Sequence, residues 1–320
     1  MAEKSANHYN LFRKWRNKVR LIDIGLGIRS CVLVAGTARS GTTWIGNVIA
    51  QATHSRQIFE PFLQTGTLNF ALRSSRRPAF DHYQPYVRAT SPGGDWHDEI
   101  DRILRGKIRH WWCDRFNSPR VYRRRVIKAV RMNLMLDYLC AHWPRLKLVY
   151  VVRDPLNVVN SQIAKIKQNW VMQWKPDYAL SQPQLMEDWL EPFRGLLESA
   201  DTLAQQQAVK WCIENLAPLT CLRQRQNALI VEYDRLVQDP STSWSEVAAF
   251  LTDRNWRETR FRQVVDRVSP TAERSPQQIA QRIEPLAELT SNDEQTIIET
   301  VHAFGLPEFI RSRNPGQRAA

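Results

Sequence analysis

The apolar and polar residues of this chain follow two alternating patterns. Five short segments are apolar almost throughout, which is typical of strands buried on both faces of a parallel sheet. The predicted strands are Cys31–Ala35, Gln57–Phe59, Val126–Val130, Leu146–Val152 and Ala228–Glu232. Longer segments between them repeat apolar residues at helical spacing. The predicted helices are Thr42–Ala52, Asn133–His142, Pro155–Lys167, Thr202–Arg225 and Thr242–Leu251.

This alternation predicts an α/β fold with three layers, in which helices flank a central, mainly parallel sheet. A last helix is predicted to begin at Ser291, where Glu294 completes a capping box, and to end at Gly305. We expect one domain over residues 29–312, preceded by an extension (1–28) and followed by a short tail (313–320).

Two segments interrupt the alternation and are predicted as insertions, at about residues 73–125 and 168–193. In open α/β sheets ligands bind beyond the carboxyl ends of the strands, so insertions there often form the wall of the substrate site. The second insertion contains Trp170, Trp174 and Trp189. These rings either stack on a sugar or close a small subsidiary core.

The N-terminal extension is basic and amphipathic. Leu11, Trp15, Val19 and Ile22 recur at helical spacing, with five Lys and Arg residues between positions 13 and 20. Such a helix either makes a peripheral contact with an anionic membrane or packs on its own domain, and the second interpretation is favoured.

Composition restricts the class of protein. The chain has 320 residues, is 43% hydrophobic and carries a formal net charge of +13, which suits an anionic ligand, an acidic polymer, a membrane surface or simply a basic surface. No apolar run is long enough to span a bilayer, and no signal peptide is recognisable. The five cysteines are scattered and form no C-x-x-C pair, so we expect reduced thiols in a cytoplasmic protein and no metal.

The segment GTARSGTTW joins the first predicted strand to a helix, as a phosphate-binding loop does. Gly36 and Gly41 let the backbone amides turn towards an anion at a helix N-terminus. Hydroxyl donors at Ser40, Thr42 and Thr43 and the charge of Arg39 add to them; the alternative is a turn that only caps the helix. A nucleoside triphosphatase would have Lys at position 42 and an aspartate after a later strand, and neither is present.

At this point the sequence resembles a known family. GTARSGTTW resembles the 5′-phosphosulfate loop of sulfotransferases that use 3′-phosphoadenosine 5′-phosphosulfate (PAPS), which share a P-loop-like fold. Arg before Ser-Gly, followed by Phe-Glu-Pro, is similar to the carbohydrate sulfotransferase branch. The resemblance implies that the donor is bound by Arg39, Ser40, Gly41, Thr42, Thr43 and Trp44.

A second motif, LKLVYVVRDPLNVVNS, resembles the family's 3′-phosphate site and implies that Arg153 and Ser161 bind that phosphate. The residues support this independently, because Arg153 ends an apolar strand and Asp154 with Pro155 can cap the next helix. The alternative is an Arg–Asp pair that closes the turn. VIKAVRMNLMLDYL and ALIVEYDRLVQDP extend the resemblance to about two thirds of the chain.

The resemblance also suggests a catalytic base. The small-molecule branch of the family has a His two residues after a strand Lys, but here Lys128 is followed by Ala129 and Val130. The carbohydrate branch has a carboxylate in Phe-Glu-Pro, which implies that Glu60 is the base. Pro61 is predicted to keep Glu60 extended, at the end of a strand next to the first. The alternatives are that Glu60 pairs with an Arg and that Lys128 is a solvated strand-end lysine.

These features predict an enzyme that transfers a sulfuryl group from PAPS to a hydroxyl of a carbohydrate or glycoconjugate. Glu60 is expected to accept the proton, and Arg39 and Lys128 to stabilise charge on the transferred group and the leaving phosphate. No metal and no nucleic-acid partner are expected. Two alternatives remain: an ATP-dependent kinase of the P-loop superfamily, and a non-enzymatic basic module that binds polyanions or membrane.

Overall fold

A computed structural model of the chain describes residues 21–25, 27–62, 84–110, 112–118, 120–170, 173–251, 264–265 and 288–311. Five strands form a parallel sheet, and two short ones, β1 and β4, form a separate parallel ribbon. The strands are β1 (Ile22–Asp23), β2 (Cys31–Gly36), β3 (Arg56–Phe59), β4 (Val121–Tyr122), β5 (Arg125–Ala129), β6 (Lys147–Val152) and β7 (Ala228–Glu232). The order in the sheet is β3-β5-β2-β6-β7.

The helices connect the strands in the way that a parallel sheet requires. They are α1 (Thr42–Ala52), α2 (Asp95–Leu104), α3 (Leu136–His142), α4 (Pro155–Lys167), α5 (Arg194–Glu198), α6 (Leu203–Leu222), α7 (Tyr233–Gln238), α8 (Pro240–Leu251) and α9 (Ser291–Ala303). Short helical turns fill residues 177–193.

The two faces of the sheet pack into separate cores because side chains of a strand alternate between faces. On β2, Leu33 and Ala35 face the larger core, which α3, α4, α6 and α9 cover. Val34 faces the smaller core with residues of α1 and α8. The predicted three-layer α/β fold is therefore confirmed.

The amino ends of β3 and β5 carry a buried ionic network. Arg56 and Arg125, the paired first residues of these strands, are at most 1% exposed. Asp23 of the ribbon bridges them, with oxygen–nitrogen distances of 3.1 Å to Arg56 and 3.0 Å to Arg125. Asp114 pairs with Arg56 at 2.8 Å. Because a buried charge is costly unless it is paired, this network fixes the ribbon, residues 104–108 and Asp114 to the end of the sheet opposite the candidate site.

Several predictions about individual elements need correction. The cap of α9 is formed one residue earlier than predicted: Thr290 accepts a hydrogen bond from the Asp293 amide, and Asp293 accepts from Thr290. The predicted helix from Asn133 begins with a 3₁₀ turn, and its α-helix begins at Leu136. The strand before Glu60, β3, lies next to β5 and not next to the first strand of the sheet, β2. Order in a sheet depends on contacts distant in sequence, which a local pattern does not contain.

The predicted amphipathic helix of the extension lies outside the described residues except at its end, where Ile22 is in strand β1 and not in a helix. Within the described part of the chain, no helix combines the length and apolar character needed to cross a bilayer. The cysteines are free thiols, four of them buried.

Candidate active site

The loop after β2 is built around two glycines that have no room for a side chain. A Cβ on Gly36 would lie 2.3 Å from the Val151 carbonyl oxygen, and one on Gly41 would lie 2.2 Å from the Tyr233 ring. Gly41 is also left-handed, with φ of 90°, and it precedes the first residue of α1. Only glycine fits both requirements. The turn therefore brings backbone amides to the N-terminus of an 11-residue helix, where an anion is favoured.

The residues from Ser40 to Trp44 differ in their burial and contacts. Ser40 is fully buried, and its hydroxyl donates to the Thr37 carbonyl at 2.6 Å, so it holds the turn together. Thr42 is buried and Thr43 is partly exposed at the start of α1. Trp44 is 3% exposed and packs edge-on against Tyr233 and Trp244, which places its ring in the core behind the loop.

The two sequence motifs meet at the carboxyl edge of the sheet. Arg39 Nε donates to Ser161 Oγ at 2.9 Å. Arg153 Nη1 donates to the Arg39 carbonyl at 3.2 Å. This contact is possible because β2 and β6 are neighbours in the sheet, so the residues that follow them share one edge. Two cationic side chains and a hydroxyl are thereby gathered beside the glycine loop.

The turn after β6 is fixed as the sequence predicted. Asp154 caps α4 by accepting a hydrogen bond from the Asn157 amide at 3.1 Å, and Pro155 occupies the first helical position. The other carboxylate oxygen accepts from the Arg311 amide at 2.9 Å. The Arg153 backbone is held as well, because its carbonyl accepts from the Trp211 indole at 3.2 Å.

Sequence reasoning missed Tyr233 as part of this site. The ring follows β7 directly, lies against Gly41 and stacks with the Arg153 guanidinium, 4.6 Å from its centre. It thus touches both motifs. Its position after the last strand of a parallel sheet was the available signal, because such residues reach the ligand edge.

Glu60 and Lys128 form a second group at the same edge. Both are 6% exposed, and Lys128 Nζ donates to Glu60 Oε1. Glu60 Oε2 accepts from the Val130 amide at 3.2 Å. The predicted extended conformation of Glu60 is wrong: its φ is 43°, in the left-handed region. The chain turns there because the Glu60 amide still donates to the Lys128 carbonyl at 2.8 Å while the carboxylate reaches back over β5.

Two further cationic side chains, Arg115 and Arg131, interact electrostatically with Glu60. Neither was predicted to belong to the site. The Arg115 guanidinium lies 4.0 Å from the Phe59 ring centre and 3.9 Å from that of Trp112. Burial lowers the pKa of Arg115, and the Glu60 carboxylate opposes this shift. Burial likewise lowers the pKa of Arg131 to about 10, against the attraction of Glu60 and Glu214. The surroundings of the carboxylate are therefore rich in positive charge.

The described contacts divide the predicted residues into two groups. Arg39, Arg153 and Ser161 gather at the ends of β2 and β6, and Glu60 pairs with Lys128 at the ends of β3 and β5. Since β5 is the neighbour of β2, both groups face the same edge of the sheet. Over the described ranges of the chain, no cluster of three His, Cys, Asp or Glu side chains is arranged to hold a metal ion.

Comparison with known proteins gives one sequence match of broad coverage. A family model described as "Sulfotransferase family" matches residues 31–258, well over half of the chain. The matched region contains every candidate residue described above. No curated protein matches the chain.

Solved structures also resemble this chain. Mouse sulfotransferase SULT7A1 complexed with PAP is 12% identical, with 92% of this chain and 95% of that one covered and a TM-score of 0.41. Sulfotransferase STF9 from Mycobacterium avium is 15% identical, with 89% and 79% covered and a TM-score of 0.42. The sulfotransferase domain from the curacin biosynthetic pathway is 14% identical, with 89% and 92% covered and a TM-score of 0.41.

Proposed function

The chain belongs to the sulfotransferase family, and from that premise we propose that it transfers the sulfuryl group of PAPS to a hydroxyl of a carbohydrate or glycoconjugate. The observation that carries the proposal is the junction of the two motifs, where Arg39 contacts Ser161 and Arg153 contacts the Arg39 backbone. A nucleotide with phosphates at both its 5′ and 3′ ends needs two anion sites side by side, and this junction supplies them.

The glycine loop fits the 5′ end of such a donor. Its amides open towards the N-terminus of α1, and the loop approaches Val151 and Tyr233 so closely that neither Gly36 nor Gly41 has room for a Cβ. Arg39 adds positive charge beside it. At the 3′ end, Arg153 can bind a phosphate through two nitrogens, and the Ser161 hydroxyl can donate a third hydrogen bond.

In the proposed reaction, the acceptor oxygen attacks sulfur while the bond from sulfur to the 5′-phosphate oxygen breaks. The hydroxyl proton passes to Glu60, and the electron pair of the broken bond stays on the phosphate of 3′-phosphoadenosine 5′-phosphate (PAP). Lys128, already paired with Glu60, lies where it can stabilise charge on the transferred group. Glutamate is a weak base at neutral pH, so the proton moves late, as the new bond forms.

A carbohydrate acceptor is favoured by the nature of the base. Position 130 is Val, and its amide donates to the Glu60 carboxylate, so the edge of β5 presents a carboxylate–lysine pair and no imidazole. This is the arrangement that the carbohydrate branch of the family implies. Of the three tryptophans of the second insertion, Trp174 is buried in the larger core and Trp189 packs against it. Trp170 is 76% exposed and is the ring of the three on which a sugar can stack.

Thermal shift measurements with PAP, PAPS and ATP–Mg²⁺ test the donor. We expect PAP and PAPS to raise the melting temperature, because a ligand that binds only the folded state stabilises it. Stabilisation by ATP–Mg²⁺ alone would support a kinase, and steeply salt-dependent binding of heparin without a PAP effect would support a polyanion module. Transfer of ³⁵S from labelled PAPS to methyl glycosides then tests the acceptor.

A further inference from the structure

A small polar cavity lies beside the proposed base, between α6 and the residues that precede it. Its volume is about 10 Å³, room for a single water-sized group. Polar and aromatic side chains line it, chiefly Gln84, Trp174, Tyr178, Lys210 and Glu214. It is not accounted for by the donor site described above.

The cavity contains a buried ion pair whose polar atoms are not fully used. Lys210 is 5% exposed and Glu214 1%, and Lys210 Nζ lies 2.6 Å from Glu214 Oε1. Among the residues that the structure describes, Glu214 Oε2 has no hydrogen-bond partner, and Lys210 Nζ has no partner besides its ion pair with Glu214 Oε1. One is a donor and the other an acceptor. A buried polar atom without a partner is costly, so such a pair favours a ligand that both accepts and donates.

The cavity is joined to Glu60 by a short hydrogen-bonded path. The Val130 amide donates to Glu60 Oε2, and the Val130 carbonyl accepts from Gln84 Nε2 at 3.2 Å. The same Gln84 nitrogen donates to Glu214 Oε1 at 2.5 Å. Val130 thus links the proposed base, Glu60, to Gln84, which lines the cavity.

The backbone of α6 at Glu214 is held in place from the sheet side. The Tyr150 hydroxyl of β6 donates to the Glu214 carbonyl at 2.8 Å. The next residue, Asn215, donates to Thr37 Oγ1 at 3.0 Å, so this turn of α6 is tied to the glycine loop. A ligand that reaches Glu214 therefore lies close to both the proposed base and the donor loop.

We propose that this cavity binds a second hydroxyl of the acceptor, with Lys210 donating a hydrogen bond to its oxygen and Glu214 accepting a hydrogen bond from it. A hydroxyl is the one common group that satisfies both partners at once and fits a water-sized space. Trp174 and Tyr178 form the aromatic part of the cavity wall. The acceptor is thereby assigned to the polyols, and Lys210 and Glu214 to its orientation. The inference rests on the proposed function.

Singly deoxygenated sugars test the proposal. The methyl glycosides of glucose, galactose and mannose are assayed with ³⁵S-labelled PAPS, and the best acceptor is then compared with each of its monodeoxy analogues. We expect one hydroxyl other than the sulfated one to be required, with a loss in kcat/KM of about 100-fold or more when it is absent, because a site built to bind a hydroxyl rejects an analogue without it.

The double variant Lys210→Met/Glu214→Leu removes the pair together, since a lone buried charge would destabilise the fold. In this variant, kcat/KM for the parent sugar should fall to the wild-type value for the deoxy analogue. The kcat/KM for the analogue and the Kd for PAP should be unchanged. Lys167→Met/Glu288→Leu is the matched control, because that Lys–Glu pair is 2.7 Å apart and more exposed. Lys210→Met/Glu214→Gln is a second, milder variant that leaves an acceptor for Gln84 and no lone buried charge, with the same selective loss expected.

Three outcomes would overturn the inference. If removal of the hydroxyl lowers kcat/KM by the same factor in the wild type and in the double variant, the cavity holds a resident water only. PAP could raise the melting temperature while no sugar is sulfated and none raises the melting temperature further. In that case the acceptor assignment is wrong, and the proposed donor site is unaffected. Failure of PAP to bind the wild type would instead refute the proposed function itself.

Discussion

Arg39 and Ser161 are 122 positions apart in the sequence and are joined by a hydrogen bond of 2.9 Å from Nε to Oγ. The first follows β2 and the second lies on α4, after β6. Each motif alone admits a purely structural explanation, as a helix cap or a strand-end ion pair. Their direct contact makes a shared ligand with two anionic ends the more economical explanation, and four predictions follow from the surrounding geometry.

Replacing Arg153 with Ala should weaken PAP binding by about 10- to 100-fold. A hydrogen bond to a charged group contributes about 1.5–3 kcal/mol, and each 1.4 kcal/mol is about tenfold in Kd. Isothermal titration calorimetry measures the change. Arg194→Ala is the control, because Arg194 is exposed and pairs with Glu191 on the surface. Equal Kd values for the two variants would remove Arg153 from the donor site.

Glu60→Gln should abolish turnover and spare donor binding. General base catalysis contributes about 10²- to 10⁴-fold, so kcat should fall by that factor while the Kd for PAP is unchanged. The substitution leaves Lys128 without its ionic partner, so the melting temperature is measured in parallel. Glu299→Gln, on the exposed side of α9, is the matched control. Turnover close to that of the wild type would show that Glu60 is not the base.

Gly41→Ala should destabilise the protein and weaken PAP binding. The new Cβ meets the Tyr233 ring at 2.2 Å, and the left-handed φ costs a non-glycine residue about 1–2 kcal/mol. Gly195→Ala is the opposite case: it lies within α5, where a Cβ has nothing within 4 Å, and should stabilise by about 0.5–1 kcal/mol. Denaturant unfolding of both variants measures the free energies. A neutral Gly41→Ala would contradict the proposed close approach of loop and ring.

Asp23→Asn should destabilise the fold in a pH-dependent way. Burial alone would raise the pKa of Asp23, but the hydrogen bond and charge of Arg125, the Gly25 amide and Arg56 together lower it. A carboxyl whose pKa is lower in the folded state stabilises the folded protein at pH values above its unfolded-state pKa of about 3.9. That stabilisation is lost as the pH falls through the folded-state pKa.

The difference in unfolding free energy between wild type and Asp23→Asn should therefore be largest near neutral pH and shrink below about pH 4. Breaking a buried pair typically costs about 3–5 kcal/mol, which sets the size at neutral pH. Denaturant unfolding between pH 3 and pH 7 gives the profile. A difference that is constant with pH would mean that Asp23 acts through packing and not through its charge.

The five strands of the main sheet and most helices could be predicted because the information is local, whereas the two short strands of the ribbon were not predicted. β7 spans Ala228–Glu232 and α4 spans Pro155–Lys167, as predicted, and β2 is one residue longer than expected. Apolar runs and an Asp-Pro cap act within a few residues, so a single sequence contains them. The position of Arg153 at a strand end followed from the same pattern.

The conformation and surroundings of Glu60 could not be predicted in this way. Proline at the next position disfavours helix, and we inferred an extended residue, whereas tertiary hydrogen bonds hold it left-handed. Tyr233 and Arg115 were also missed. They lie beside the candidate residues only because strands that are distant in sequence lie side by side.

The sequence alone determined which segments form strands and helices, where the glycine loop turns and which family the chain resembles, because these depend on side-chain period, backbone permissiveness and local motifs. Only the tertiary structure decided that β5 stands between β3 and β2, which pairs Glu60 with Lys128, and that α6 carries Lys210 and Glu214 to the same edge. Strand order and the packing of α6 on the sheet are set by the burial of apolar surface over long sequence separations, a summed effect that no local pattern records.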